Sequence, residues 1–125
     1  MPRILVVDDE PSIRRTLRAV LEVKGYDVVE ADCGREALRL IHSGQYDLAL
    51  LDINMPDITG IEVCREVRTT SQIPIVMMSA GEENRARSLE AGANDYLKKP
   101  FSVAQIFSLV KLYSGEIGGV RGQGE

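Results

Sequence analysis

ILVVDDEP, residues 4–11, sets four apolar residues directly against three acids and a proline. A short apolar run rich in Val and Ile reads as a buried strand. The acids end the run, and Pro11 suits the first turn of a helix, where the N–H it lacks would have no partner anyway. Strand, acidic loop and helix are therefore the reading of this stretch, and the rest of the chain repeats the plan. Runs at 28–31 (broken by Glu30), 48–51 and 75–78 are again apolar without clean alternation, the pattern of parallel strands covered on both faces. A fifth, shorter strand is expected at 95–97. Between the runs, Ile13, Leu17, Val20 and Leu21 share one helical face, and Val103, Ile106, Phe107 and Val110 form a similar stripe in the last helix. Gly25, Gly44 and Gly92 are placed to end helices, and Pro100 separates the fifth strand from the fifth helix. Strand and helix alternate five times, which implies right-handed crossovers and an open, doubly wound parallel sheet of the α/β class.

A chain of 125 residues has room for one hydrophobic core. Its net charge of −4, with both signs interspersed, includes no basic stripe for DNA or an anionic membrane. Direct nucleic-acid binding by this chain is not expected. Residues 1–7 are too short an apolar segment for a signal peptide or a membrane span, so a cytoplasmic location is expected. Cys33 and Cys64 are isolated, which suggests neither a disulfide framework nor a zinc site; both read as core or near-core residues. His42 reads as a helix-end surface residue. Residues 115–125, GEIGGVRGQGE, lack periodicity and are expected to form a flexible tail or linker stub, leaving 1–114 as the folded domain.

Binding crevices of open α/β sheets lie outside the C-terminal ends of the strands, where strand order reverses. The polar residues that end the runs are Asp8 and Asp9 after the first, Asp52 after the third, Ser79 after the fourth and Lys99 after the fifth. Carboxylates gathered this closely repel one another unless a cation or a proton relieves them, and such hard oxygen donors suit Mg²⁺ or Mn²⁺. A lysine and a hydroxyl supply the charge and the donor that a transferring phosphoryl group needs. Singly, each has a plainer reading: Asp8, Asp9 or Ser79 can cap a helix, Asp52 can be a loop residue, Lys99 can be solvated like Lys98, and Tyr96 can be a strand residue with its hydroxyl in water. Together they favour an anion held beside a metal ion.

The stretches VVDDEPSIR, LLDINMPDITGIEV, IVMMSA and AGANDYLKKPF resemble the receiver domains of two-component response regulators, over residues 3–113. The resemblance implies a flavodoxin-like (βα)5 fold with strand order 2-1-3-4-5 and a phosphorylation switch. Asp52 would be the phosphoacceptor. Asp9, Asp52 and the backbone carbonyl of Asn54 would bind the metal directly, and Asp8 through water. Ser79 and Lys99 would contact the phosphoryl oxygens, and Tyr96 would turn inward as Ser79 moves. Pro56 and Gly60 match the loop after the phosphoacceptor, and the bond before Pro100 is commonly cis in relatives. A sensor histidine kinase or phosphotransfer protein would donate the phosphoryl group. An output domain or effector would read the face made by the fourth helix, fifth strand and fifth helix. The domain would be a phosphoacceptor, not an enzyme in its own right, although it would assist its own phosphotransfer and dephosphorylation.

The fourth helix, residues 82–91, has few apolar anchors beyond Ala86 and Leu89, which suits an element that moves. The fifth carries Leu109, Leu112 and Tyr113 off its core stripe, so a homodimer or an output contact through that helix is expected. Two other classes compete. An aspartate-nucleophile phosphatase would place its nucleophile and a second acid after the first strand, whereas Asp52 follows the third. A flavin or nucleotide module would want a Gly- or Ser/Thr-rich loop where this chain has Asp8, Asp9 and Glu10.

Overall fold

Along β1 (Arg3–Val7) successive side chains leave opposite faces, and both faces are covered: Leu5 and Val7 enter one core, Ile4 and Val6 the other. That is why the run shows no alternation. The computed structural model describes residues 1–114; the expected tail at 115–125 lies outside them. The elements that follow are α1 (Pro11–Val23), β2 (Asp27–Ala31), α2 (Gly34–Ser43), β3 (Leu48–Asp52), α3 (Gly60–Arg68), β4 (Ile75–Ala80), α4 (Arg85–Glu90), β5 (Asp95–Lys99) and α5 (Val103–Tyr113). The strands form one parallel sheet in the order β2-β1-β3-β4-β5. Leu17 and Leu21 of α1 and Ile106 and Val110 of α5 cover one face. Ala37 and Ile41 of α2 and Ile61, Val63, Cys64 and Val67 of α3 cover the other. Each fully buried Leu, Ile or Val contributes about 1.5–3 kcal/mol, so the two apolar layers fix where the helices sit.

Gly25 and Gly92 adopt positive φ, at 93° and 109°, after α1 and α4, the left-handed turn that glycine enters without a Cβ penalty. Gly44 instead ends α2 in an extended conformation. Cys64 is buried, Cys33 half-buried and His42 exposed. The first turn of α2 is capped from across the molecule. The N–H groups of Gly34 and Arg35 donate to Asp57 Oδ1 and Oδ2 at 2.9 and 2.8 Å. Desolvation opposes the charge, but the backbone N–H groups of Arg35, Gly34, Ile58 and Asp57 itself hold this carboxyl well below the usual range.

Three apolar expectations are corrected. Val103 is 49 % exposed instead of joining the core stripe of α5; it is the first residue of the helix, and the buried residues begin one turn later at Ile106. Leu109, expected to stand off that stripe, packs against the α1/α5 core, and Tyr113 donates to Asp95 Oδ2 at 3.0 Å. In α4, shorter than the expected 82–91, Ala86 and Leu89 both face water, and the buried residue is Ser88. Its neighbours Ala91 and Ala93 carry the apolar contact from the turn beyond it.

Candidate functional site

Strand register brings the site together. β1 and β3 pair Val7 with Leu51, so one step further Asp8 stands beside Asp52. β3 and β4 pair Asp52 with Met78, which sets Ser79 just beyond, and β4 and β5 pair Ala80 with Lys99. Because β1 lies between β2 and β3, chain direction around the sheet reverses there, and the crevice opens at the reversal.

Asp8 and Asp52 are buried, at 0 and 3 % exposure, while Asp9 is exposed. Carboxylate oxygens of all three lie within 4.8 Å of one another. Lys99 Nζ bridges two of them, 2.9 Å from Asp8 Oδ2 and 3.2 Å from Asp52 Oδ1. Burial works against its ammonium, yet the hydrogen bond to Asp8 and the charge of Asp52 outweigh it and raise the lysine's pKa. One cation among three acids does not restore balance. Burial first, then the charge of Asp8, pushes the Asp52 carboxyl from 3.8 up to about 6, against the pull of Lys99. The donor set is all hard oxygen, partly solvated through Asp9, and short of positive charge, which fits Mg²⁺ or Mn²⁺.

Neither Asp8 nor Asp9 caps α1 in the usual way; Glu10 holds the N-cap position without a side-chain bond. Asp8 Oδ1 instead accepts the Glu10 N–H at 2.9 Å. The Asp8 N–H donates to Ala31 O at 3.2 Å, and its carbonyl accepts from Arg14 Nη1 at 2.7 Å. Arg14 is held in turn by Glu30, 3.1 Å from its Nε. Ser79 is buried as the last residue but one of β4, so it does not cap α4. Its Oγ accepts from Asn84 Nδ2 at 3.4 Å. Tyr96 is turned inward, 4 % exposed, and its hydroxyl donates to Gly81 O at 2.6 Å. Burial pushes that phenol's pKa up, and the Ser79 hydroxyl beside it pulls the other way. The Arg85 guanidinium covers the outer side of the ring, 5.0 Å from its centre. The Lys99–Pro100 peptide is cis, and Lys98 is exposed. Asn54 and Pro56 lie exposed in the loop after β3, and Gly60 is buried where that loop returns to meet Ile53, its N–H donating to Ile53 O at 2.8 Å.

Sequence reasoning brought the acids, Ser79, Tyr96 and Lys99 to one place. It missed Arg14 and Asn84. Arg14 sits on the half-buried side of α1 and looks like one more surface arginine; only its spacing from Asp8, one helical turn past the loop, offered a signal. Asn84 offered none beyond being a polar loop residue.

Comparison with known proteins gives the family. The family model for the response regulator receiver domain matches residues 4–111. The chain belongs to this family. Receiver domains of this kind are signalling domains of two-component regulatory systems. The chain is 50 % identical to the transcriptional regulatory protein ResD of Bacillus subtilis over 111 residues, 87 % of this chain and 46 % of that protein. It is 44 % identical to the response regulator MprA of Mycolicibacterium vanbaalenii over 112 residues, 87 % and 48 % respectively. This receiver domain thus spans about half the length of the curated relatives it matches. Among solved structures it is similar to the response regulator TrrA of Thermotoga maritima, in complex with Mg²⁺-BeF, at 42 % identity and a TM-score of 0.84 over 90 % of this chain and 99 % of that one. The chemotaxis protein CheY4 of Vibrio cholerae, at 34 % identity, covers 90 % of this chain and 98 % of its own with a TM-score of 0.85. No helix among the described residues is long and apolar enough to cross a membrane.

Proposed function

We propose that this receiver domain accepts a phosphoryl group on Asp52 from the phosphohistidine of a sensor kinase or phosphotransfer protein. The observation that carries the reading is Lys99 bridging the buried Asp8 and Asp52 with Asp9 beside them. An Asp52 oxygen attacks phosphorus in line, the phosphorus–nitrogen bond breaks, and the imidazole leaves with the electron pair, giving an acyl phosphate that water later cleaves. Lys99 and the Ser79 hydroxyl would meet the phosphoryl oxygens. Asp9, Asp52 and the Asn54 carbonyl would hold Mg²⁺ or Mn²⁺, with Asp8 behind them through water; the ion supplies charge neutralisation to carboxylate and phosphoryl oxygens alike. The response passes through Ser79 and Tyr96 to the face of α4, β5 and α5, for an output domain or effector in the cytoplasm to read.

Mixing the protein with acetyl phosphate and Mg²⁺ tests this reading: one acid-stable, base-labile adduct is expected, whereas catalytic turnover of phosphate esters would mark a phosphatase. Mg²⁺ alone is also expected to raise the melting temperature, since relieving carboxylate repulsion stabilises only the folded state; at ten times Kd the gain is about 1.4 kcal/mol. Asp9→Ala should remove that gain, and a wild type whose melting ignores millimolar Mg²⁺ would show the metal role to be wrong.

A homodimer through α5 is a second-order part of the reading. With Leu109 packed inward, Leu112 at 62 % exposure and Val103 are the large apolar residues it exposes. Leu112→Glu should weaken self-association in sedimentation runs without touching Asp52; a protein that sediments as a monomer at all concentrations removes this part.

A further inference from the structure

Asn84 stands at the N-cap of α4, yet its side chain does not cap that helix. Its amide oxygen is engaged elsewhere: Arg87 Nη1 donates to Asn84 Oδ1 at 3.2 Å. A guanidinium has donors and no acceptor, so the atom facing it is the oxygen, and the amide nitrogen points the other way. There it meets Ser79, with Nδ2 3.4 Å from Oγ. A hydroxyl has one proton to give and two lone pairs to receive with. With a lone pair taken by Asn84, the Ser79 proton is left to give, either to the Tyr96 hydroxyl beside it or to an anion next to Asp52 and Lys99. Asn84 is also tied into α4, because its carbonyl accepts from Ser88 Oγ at 2.8 Å and from Ser88 N at 2.9 Å. Ser88 is the buried residue of α4. Both Ser88 bonds lie within the helix's own first turn, so Asn84 moves with α4.

We propose that Asn84 is a positioning residue that sets the direction of the Ser79 hydroxyl proton and carries the displacement of Ser79 into α4. The proposal rests on Asp52 accepting a phosphoryl group. At 3.4 Å the amide–hydroxyl contact is slack and has room to shorten. When Ser79 donates to an anionic oxygen, its own oxygen becomes a better acceptor, so the Asn84 bond tightens with it. The amide is drawn toward the site, and the Ser88 contacts bring the first turn of α4 along.

A double-variant cycle tests this. The readout is the amide chemical shifts of residues 82–91 in the isotope-labelled full chain, with Mg²⁺ and beryllofluoride as the acyl-phosphate mimic; modification of Asp52 is scored separately by mass after acetyl phosphate. Asn84→Ala should lower the population of the switched α4 position about fivefold, the size expected for one hydrogen bond. Asn84→Asp keeps the size and the Ser88 contacts but offers Ser79 only an acceptor that competes for its proton, and should lower the population at least as far. In a Ser79→Ala background neither change should have a further effect. Additive effects in the cycle, or an Asn84→Ala response equal to wild type, overturn the proposal. A wild type that gains no phosphoryl mass overturns the Asp52 reading and this proposal with it, whereas one that gains the mass while the cycle is additive overturns the proposal alone.

Discussion

Asp52→Asn is expected to abolish the adduct formed with acetyl phosphate and, in metal-free buffer, to make the protein more stable than wild type. The first effect follows because an amide oxygen is too poor a nucleophile to displace at phosphorus, and Asp52 is the carboxylate at the C-terminal end of β3. The second follows from electrostatics. Burial and the charge of Asp8 push the Asp52 carboxyl up from 3.8 to about 6. An acid whose pKa is raised by folding costs stability as it ionises, so wild-type stability falls as pH rises from about 4 through 6, and the cost is complete above that window. At pH 7 it amounts to about 3 kcal/mol at most by the relation between pKa and free energy, less whatever the loss of the Lys99 contact takes back. Lys99 keeps Asp8 at 2.9 Å, so its own charge stays paired in the variant. Urea unfolding at pH 4.5 and pH 7.5 in chelator is the measurement: the two proteins should converge at the lower pH and separate at the higher. An adduct of unchanged mass in the Asn variant would remove Asp52 from the reaction; an unaltered stability difference between the two pH values would remove the repulsion argument.

Gly60→Ala should be the most damaging methyl group that can be added near the site. A Cβ there would stand 2.4 Å from the Asp52 carbonyl oxygen and 2.9 Å from Ile53 Cα. Both obstacles are backbone, and the Gly60 N–H is already bonded to Ile53 O at 2.8 Å, so the loop cannot retreat without giving up that bond. Overpacking of this kind costs about 1–3 kcal/mol, and a backbone clash belongs at the upper end. The melting temperature should fall by roughly 10 °C, and the residue displaced is the proposed phosphoacceptor, so the reaction with acetyl phosphate should slow as well. Gly34→Ala is the comparison: its Cβ would meet side chains only, Ile58 Cγ1 at 2.5 Å and Val63 Cγ2 at 3.0 Å, and no backbone atom, so it should cost less than Gly60→Ala. Equal melting temperatures for the two variants would show that the loop after β3 is softer than its contacts imply.

The amino-acid sequence alone determined the order and kind of the ten elements, because each strand had to be apolar on both faces and each long helix on one. It also placed Asp8, Asp52, Ser79 and Lys99 at strand ends, since in a parallel sheet every C-terminal end falls on the same edge. α4 was legible only as weak: with Ala86 and Leu89 in water and Ser88 its buried residue, it has no apolar stripe for periodicity to show, and its apolar contact comes from Ala91 and Ala93 beyond its end. Val103 was misplaced because periodicity assigns a residue to a helix face but cannot say whether the core reaches the helix's first turn. The contacts that only the tertiary structure decided are long in sequence and polar. Asp57 caps α2 from a loop that begins after the next strand, Arg14 holds the Asp8 carbonyl and Glu30 together, and Asn84 turns its amide to Ser79 because Arg87 occupies its oxygen. A hydrophobic pattern is written in every turn of a helix, whereas a single hydrogen bond depends on where two distant backbones come to rest, and that is fixed only once the two cores have packed.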